Sequence, residues 1–177
     1  MNKVNKKNVK MYYIKHEYLY NIDISDSFFD SLKLEYKEFE KWYNQKMHEN
    51  AKAYITRYKT GNLASFMMCK MEYENEDYTC FKDEFDKNVR LKIQTFKVSN
   101  SGFKIGDEYM KIIFETAKKN NADEIYVTVF DNHKKLISFF KKYGFIKRTI
   151  KNNERSNSET GEELVLVKSV NKHFKEK

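Results

Sequence analysis

The sequence predicts a single domain with a mixed α/β fold, and three observations lead to this prediction. Apolar and polar residues alternate in several segments of strand length, and apolar residues recur at helical spacing in four others. A further segment, EIYVTVF (124–130), is apolar almost throughout. Alternation indicates half-buried strands, a spacing of three or four residues indicates helices, and a short apolar run indicates a strand covered on both faces.

The first half of the chain predicts a strand, two helices and a hairpin. Residues 11–22 mix aromatic and polar side chains, as an early strand does. Residues 25–36 begin with Ser and Asp capping residues and continue with apolar residues at helical spacing, and residues 37–47 predict a second short helix. Two alternating segments flank the turn TGN (60–62), which is typical of a β-hairpin.

The second half predicts the elements that close the sheet. They are, in order, an acidic connection (74–88), a strand (89–98), a helix (103–120), the doubly covered strand (124–130), a helix (133–143) and two strands around the polar loop 152–161. Gly144 follows the second of these helices, at the position where a glycine commonly ends a helix. Residues 1–9 and 169–177 are expected to be frayed termini.

Composition excludes some classes of protein and leaves others open. A mean hydropathy of −0.85 and the lack of any long apolar run argue against a membrane-spanning chain. The basic start MNKVNKKNVK lacks the apolar segment of a secretion signal. Cys69 and Cys80 are therefore expected to be reduced, buried thiols of a cytoplasmic protein. No Cys or His lies at zinc-ligand spacing, so no metal site is predicted.

The net charge of +8 favours binding of phosphates, either in nucleic acid or in a nucleotide cofactor. The charge is spread along the chain, however, and the absence of proline beside abundant Lys, Asn and Ile indicates an AT-rich genome. The codon usage of such a genome then explains the many lysines without a polyanionic partner. Nucleic-acid binding is therefore not the favoured main function.

Two of the five glycines, Gly102 and Gly106, lie in the stretch KVSNSGFKIGDEYMKIIF (97–114). A glycine-containing loop that runs into a helix presents free backbone N–H groups and the positive end of the helix dipole. The stretch therefore predicts an anion site. A tight strand-to-helix turn without a ligand is the alternative.

The order of elements, together with FKVSNSGFKIGDEYMKIIFETA and IYVTVFDNHKKLISFFKKYGF, resembles the GNAT superfamily of acyl-CoA-dependent N-acetyltransferases. The likeness covers about residues 10–168. It implies a central, twisted, mostly antiparallel sheet of six to seven strands with about four helices. It also implies that one pair of strands splays apart to open a cleft for acetyl-CoA.

The resemblance also implies how acetyl-CoA binds. The pyrophosphate would be held by backbone groups of the glycine turn and helix start, namely Gly102, Phe103, Lys104, Ile105, Gly106 and Asp107. The pantetheine arm would pair with the splayed strand at Phe96, Lys97 and Val98. A backbone N–H near Val98 would polarise the thioester carbonyl. An amine then attacks directly, so no protein nucleophile is required.

The chain departs from the family pattern at several positions. Ser101 and Lys104 replace the family's Arg/Gln and first glycine. Phe140, expected to contact the cofactor, stands where many members carry a tyrosine that protonates the leaving thiolate. His133 replaces a common asparagine and is a candidate proton carrier or a helix-start residue. Tyr126 is a second catalytic candidate, with core packing as its alternative.

Three functions follow from these observations. The first is an N-acetyltransferase that moves an acetyl group from acetyl-CoA to a primary amine. The second, favoured by Phe140, is a non-catalytic acyl-CoA-binding or regulatory module. The third, favoured by the basic charge, is a basic RNA-associated protein, for example an acetyltransferase that acts on aminoacyl-tRNA as toxin-like relatives do. The amine acceptor is not readable from any motif, and a homodimer is expected only because relatives commonly form one.

Overall fold

A computed structural model describes residues 13–99, 104–152 and 161–170. Within these ranges the strands are β1 (Lys15–Tyr18), β2 (Lys52–Arg57), β3 (Leu63–Glu72), β4 (Arg90–Val98), β5 (Glu124–Phe130), β6 (Ile146–Ile150) and β7 (Glu163–Ser169). The helices are α1 (Asp30–Glu35), α2 (Phe39–His48), α3 (Ile105–Lys119) and α4 (Lys134–Lys142). The predicted order of elements is confirmed.

The described strands form one mixed sheet in the order β1-β2-β3-β4-β5-β7-β6. Neighbouring strands are antiparallel except β4 and β5, which are parallel. Their pairing extends from Arg90–Glu124 to Ile93–Val127 and then ends, although both strands continue. The predicted splayed pair is therefore present. A bulge accompanies it: Met68 pairs with Thr95 and Cys69 with Ile93, so Gln94 is an extra residue in β4.

Helices α3 and α4 cover one face of the sheet. The predicted helical stripe of α3 is buried at Ile105, Tyr109, Ile113 and Ala117, because these residues recur every three to four positions. They pack with apolar residues of β4 and β5 and with Phe140 of α4 in one core cluster. Gly144 ends α4 with φ of +82°, as predicted from its position.

The opposite face has two separate covers. Helices α1 and α2 and two short 3₁₀ turns (Leu19–Asn21 and Ser27–Phe29) pack on β2 and β3. The connection between β3 and β4 packs on β5 and β7 through Phe81 and Phe85. This segment was predicted only as an acidic connection. Its two phenylalanines, Phe81 and Phe85, instead bury their rings, while Glu84 and Asp86 are exposed.

The structure corrects four further expectations. The early strand is limited to Lys15–Tyr18, because a 3₁₀ turn follows it directly. Cys80 is exposed and Cys69 only half-buried, so the thiols are not both buried. Arg90 is one of the polar residues that alternate with apolar ones in the predicted half-buried strand 89–98, yet it is fully buried. Ser169 is not frayed, because it is the last residue of β7 and pairs with Glu124.

None of the described helices is both long and apolar enough to cross a lipid bilayer. The other residues of the predicted frayed ends lie outside the described ranges, except Val170, whose N–H bonds the Asp123 carbonyl at 2.9 Å.

Candidate functional site

The gap between the diverging ends of β4 and β5 is lined by backbone polar groups. The N–H of Ser99 donates to the carbonyl of Ala64 in β3 at 2.9 Å. Because backbone groups of successive residues in a strand point to opposite sides, those of Phe96 and Val98 face β5 instead. No β4–β5 pair follows Ile93–Val127 in the described strands. This edge is thus available to an extended ligand.

The opposite wall of the gap follows from the same alternation. The N–H of Asp131 donates to the carbonyl of Glu162, on the β7 side, at 2.9 Å. In the register of the β5–β7 ladder, the backbone groups of Thr128 and Phe130 therefore point towards β4. Two strand edges face each other across the gap, and a ligand inserted there can be hydrogen-bonded from either side.

The N-terminus of α3 lies beyond the open end of β4. Its first backbone N–H groups, at Ile105, Gly106 and Asp107, have no acceptor within the helix. Lys104 precedes the helix and is exposed, and the Lys142 ammonium lies 3.2 Å from the Asp107 carboxylate. A hydrogen bond from Tyr143 and the charges of nearby lysines lower the pKa of Asp107. The helix dipole and the two lysines attract an anion to this end, and the carboxylates of Asp107 and Glu108 in the first turn oppose them.

Helix α1 crosses the end of the gap on the face opposite α3. The Lys97 ammonium, at the end of β4, donates to the Phe28 carbonyl and to Ser31 Oγ. At the other end of α1, Glu35 Oε1 lies 2.9 Å from Nε2 of His133, the residue that precedes α4. The ring of Tyr36 also packs on Phe130, at the end of β5, with 5.3 Å between ring centroids. Side chains at both ends of α1 therefore contact the two diverging strands.

The charges at this end of the gap interact. Burial lowers the pKa of Lys97, and the carboxylates of Glu35 and Asp30 partly oppose that effect. Glu35 thus acts on a cation at the end of β4 and contacts the imidazole beyond the end of β5. No local sequence signal singled out Glu35, because its role depends on a residue 98 positions away, at His133.

The sequence matches the model of the acetyltransferase (GNAT) family over residues 16–145. The chain belongs to this family. It is an acyltransferase, since acyl transfer is the activity of the family. A sequence comparison with curated proteins finds no match.

Solved GNAT structures share the fold. Ard1 from Thermoplasma volcanium matches with a TM-score of 0.63 at 14% identity, covering 91% of this chain and 99% of that one. Naa20 from Chaetomium thermophilum, in complex with a bisubstrate analogue, matches with a TM-score of 0.62 at 15% identity, covering 89% and 86%. Naa50 from Arabidopsis thaliana, with the bisubstrate analogue CoA-Ac-MVNAL, matches with a TM-score of 0.56 at 21% identity, covering 88% and 98%.

Two aromatic residues of α4 have different positions in this GNAT domain. Phe140, predicted to contact the cofactor, has no exposed surface and packs on the rings of Phe96 and Phe145. Phe139 is half-buried and lies against the start of α3, where a Cβ added to Gly106 would come within 3.0 Å of its ring. Gly106 therefore lets α3 pack closely on α4. Its predicted contact with pyrophosphate stays a prediction, and Gly102 and Phe103 lie outside the described residues.

Tyr126 is not brought to the gap. It lies where β4 and β5 are still paired, opposite Lys92, and is 1% exposed. Its hydroxyl donates to Glu72 Oε2 at 2.6 Å, and burial followed by this carboxylate raises its pKa. The alternative of core packing therefore describes Tyr126 in this GNAT domain. Among the residues that the structure describes, no three His, Cys, Asp or Glu side chains are grouped to hold a metal ion.

Proposed function

We propose that this GNAT acyltransferase transfers an acetyl group from acetyl-CoA to a primary amine by direct attack. The observation that carries the proposal is the pair of strand edges at Phe96, Val98, Thr128 and Phe130, which opens next to the N-terminus of α3. An extended pantetheine arm fits such an edge, and a pyrophosphate fits a helix N-terminus. The complexes of Naa20 and Naa50 with bisubstrate analogues support the same class of reaction.

In this proposal, the phosphates of acetyl-CoA bind at the start of α3, near Lys104 and Lys142. The pantetheine arm hydrogen-bonds with the free edge of β4. The β3–β4 ladder does not use the N–H of Val98. In this proposal the N–H donates to the thioester carbonyl and stabilises the negative charge that develops on the carbonyl oxygen.

The chemical step needs a base for the amine and no protein nucleophile. The amine nitrogen forms a bond to the thioester carbon, the carbon–sulfur bond breaks, and the thiolate of CoA leaves. The amine proton passes to His133. If the Nε2–H of His133 donates to Glu35, Nδ1 is left as the proton acceptor. Phe140 cannot protonate the thiolate, which is a good leaving group because thiol pKa values lie around 8–9.

The same absence of a hydroxyl at Phe140 favours one other function, a non-catalytic acyl-CoA-binding module. The two functions differ in turnover rather than in binding. Release of CoA thiol in the presence of amines separates them. An enzyme releases it continuously, whereas a binding module releases none across amino acids, peptides, polyamines and aminoacyl-tRNA.

Acetyl-CoA binding is tested by thermal unfolding. At a hundredfold excess over Kd, a ligand of the native state adds about 2.7 kcal/mol to the free energy of unfolding. We expect Lys142→Gln to weaken acetyl-CoA binding several-fold at low salt and less at high salt, because an exposed charge is screened. Lys118→Gln, at the far end of α3, is the matched control and should have no effect. An unchanged melting temperature of the wild-type protein at millimolar acetyl-CoA would contradict the proposal.

A further inference from the structure

A cavity of about 480 Å³ opens on the α1 side of the sheet, beside the end of β4. Its walls come from the turn between β2 and β3, from residues 26–28 and from the last residues of the β4 segment. Five lining residues carry a hydroxyl or an amide (Ser27, Tyr58, Thr60, Asn62 and Ser99), and Phe28 and Leu63 add apolar surface. A polar cavity of this size next to the gap holds a small hydrophilic molecule better than an apolar one.

Two charged residues line this cavity, and they differ in what they offer a ligand. Asp26 is already used by the fold: one carboxylate oxygen accepts the N–H of Phe28 and the other accepts the N–H of Leu63, both at 2.9 Å. These bonds connect the 3₁₀ turn to the hairpin. Asp26 therefore has a structural role, and its charge disfavours a ligand with several negative groups.

Lys97 has unused bonding capacity. Its ammonium carries three protons. Two partners are present among the described residues, the Phe28 carbonyl and Ser31 Oγ, and the ring of Phe28 lies 4.7 Å away. These contacts hold the side chain in place and leave one N–H for a ligand in the cavity. A half-buried cation held in this way is suited to a carboxylate.

The position of Lys97 in the strand relates this cation to the reaction. Lys97 precedes Val98, and consecutive Cα atoms are about 3.8 Å apart. In the proposed function the N–H of Val98 binds the thioester carbonyl. A molecule whose carboxylate is held by Lys97 can then bring a nearby amine to that carbonyl. In an α-amino acid, both groups are attached to the same carbon.

We propose that this cavity selects acceptors in which a primary amine accompanies a carboxylate, and that Lys97 binds the carboxylate. The inference rests on the proposed acetyl transfer and narrows its substrate class to amino acids and similar compounds. It disfavours polyamines, whose second ammonium would be repelled by Lys97. A hydrogen bond to a charged group contributes about 1.5–3 kcal/mol, which corresponds to a preference of roughly tenfold or more.

The experiment compares amino acids with their decarboxylated amines: phenylalanine with phenethylamine, tyrosine with tyramine, and lysine with cadaverine. For each pair, kcat/KM is measured by thiol release. We expect the wild-type protein to prefer the amino acid at least about tenfold, and Lys97→Met to reduce that preference to near one. Lys97→Arg, which keeps the charge, should retain part of it. Lys59→Met, on the same hairpin turn but outside the cavity lining, is the control and should behave as wild type.

The outcomes separate this inference from the proposed function. If acetyl-CoA does not shift the melting temperature of the wild-type protein, the proposed function fails and this inference fails with it. If acetyl-CoA binds and the amines react without any preference for amino acids, only the carboxylate selection is wrong. If neither amines nor amino acids react, the proposed transfer and this inference both fail. A preference that survives in Lys97→Met also overturns it. If Lys97→Met does not fold, Lys97→Gln replaces it. A wild-type ratio of kcat/KM between amino acid and amine that is near one also contradicts the inference, without any variant.

Discussion

At the scale of single residues, the contact between His133 and Glu35 has the clearest consequence for chemistry. The imidazole and the carboxylate are 2.9 Å apart and both partly exposed, so solvent and an amine can reach them. A partly exposed polar contact of this kind contributes little to stability. Its value in the proposed reaction is positional, because Glu35 orients the ring that accepts the amine proton.

We expect His133→Ala to lower kcat by about 10²–10⁴ with little change in the affinity for acetyl-CoA, because a positioned base contributes that much. The deficit should shrink as pH rises, since more of the acceptor then arrives as free amine. Glu35→Gln should lower kcat less, and the double variant should be no slower than His133→Ala alone, because the two residues act as one unit. Steady-state rates across pH measure all three.

Glu38→Gln is the control for this prediction, since Glu38 is an exposed residue that pairs only with Lys41 at 3.5 Å among the contacts described. Deficits of equal size at every pH would show that His133 has a structural role only. Additive losses in the double variant would show that Glu35 does not act through His133.

At the scale of secondary-structure elements, the packing of α3 on α4 depends on Gly106. An added Cβ would lie 3.0 and 3.1 Å from two ring carbons of Phe139, closer than ordinary van der Waals contact. The same first turn is tied to the end of α4 by hydrogen bonds from Tyr143 and Lys142 to Asp107. The proposed phosphate site therefore lies on a helix end that α4 holds in position.

Gly106→Ala should be unfavourable or neutral in the wild-type background, because crowding against Phe139 offsets a gain of about 0.5–1 kcal/mol from replacing glycine in a helix. In a Phe139→Leu background the ring is gone, and the same substitution should then stabilise the protein. A double-mutant cycle by urea unfolding measures the difference, which we expect to be at least about 1 kcal/mol. A coupling near zero would mean that the two helices do not touch at this point.

At the scale of the whole molecule, the sheet is held between two chemically different layers. The α3–α4 side is an apolar core. The side under residues 73–89 also holds charge. Arg90 donates to Glu124 at 2.8 Å and to the Asp86 carbonyl at 2.6 Å, and its guanidinium lies against the rings of Tyr78 and Phe85. Strands β4 and β5 are paired next to this layer, from Arg90–Glu124 to Ile93–Val127, and they separate after the last of these pairs.

Tyr126→Phe tests whether this layer is structural. Glu72 is 1% exposed as a residue, so losing the hydroxyl removes a donor from a buried carboxylate, at a cost of about 1.5–3 kcal/mol. We expect a lower free energy of unfolding with kcat within twofold of wild type. Tyr73→Phe, at an exposed tyrosine nearby, is the matched control. A fall in kcat of about a hundredfold without loss of stability would instead place Tyr126 in catalysis.

The local pattern of the sequence predicted the elements well, because periodicity and capping act over a few residues. The buried stripe of α3, the hairpin around residues 60–62, the doubly covered β5 and the glycine that ends α4 are confirmed. The same local view could not see that Phe81 and Phe85 complete a core, or that Arg90 is buried beneath them. Those outcomes depend on which distant segment folds over which strand.

By itself, the sequence determined the order of elements, the family and the glycine in the first turn of α3, since each depends on patterns within short segments. Only the tertiary structure decided what meets at the gap. In the structure, Glu35 contacts His133, and Lys97 contacts α1 and lines a cavity. Tyr126 and Phe140 are buried in the core. The physical reason is that these contacts join residues far apart in the chain, and packing and electrostatics at such separations exist only once the sheet and helices have assembled.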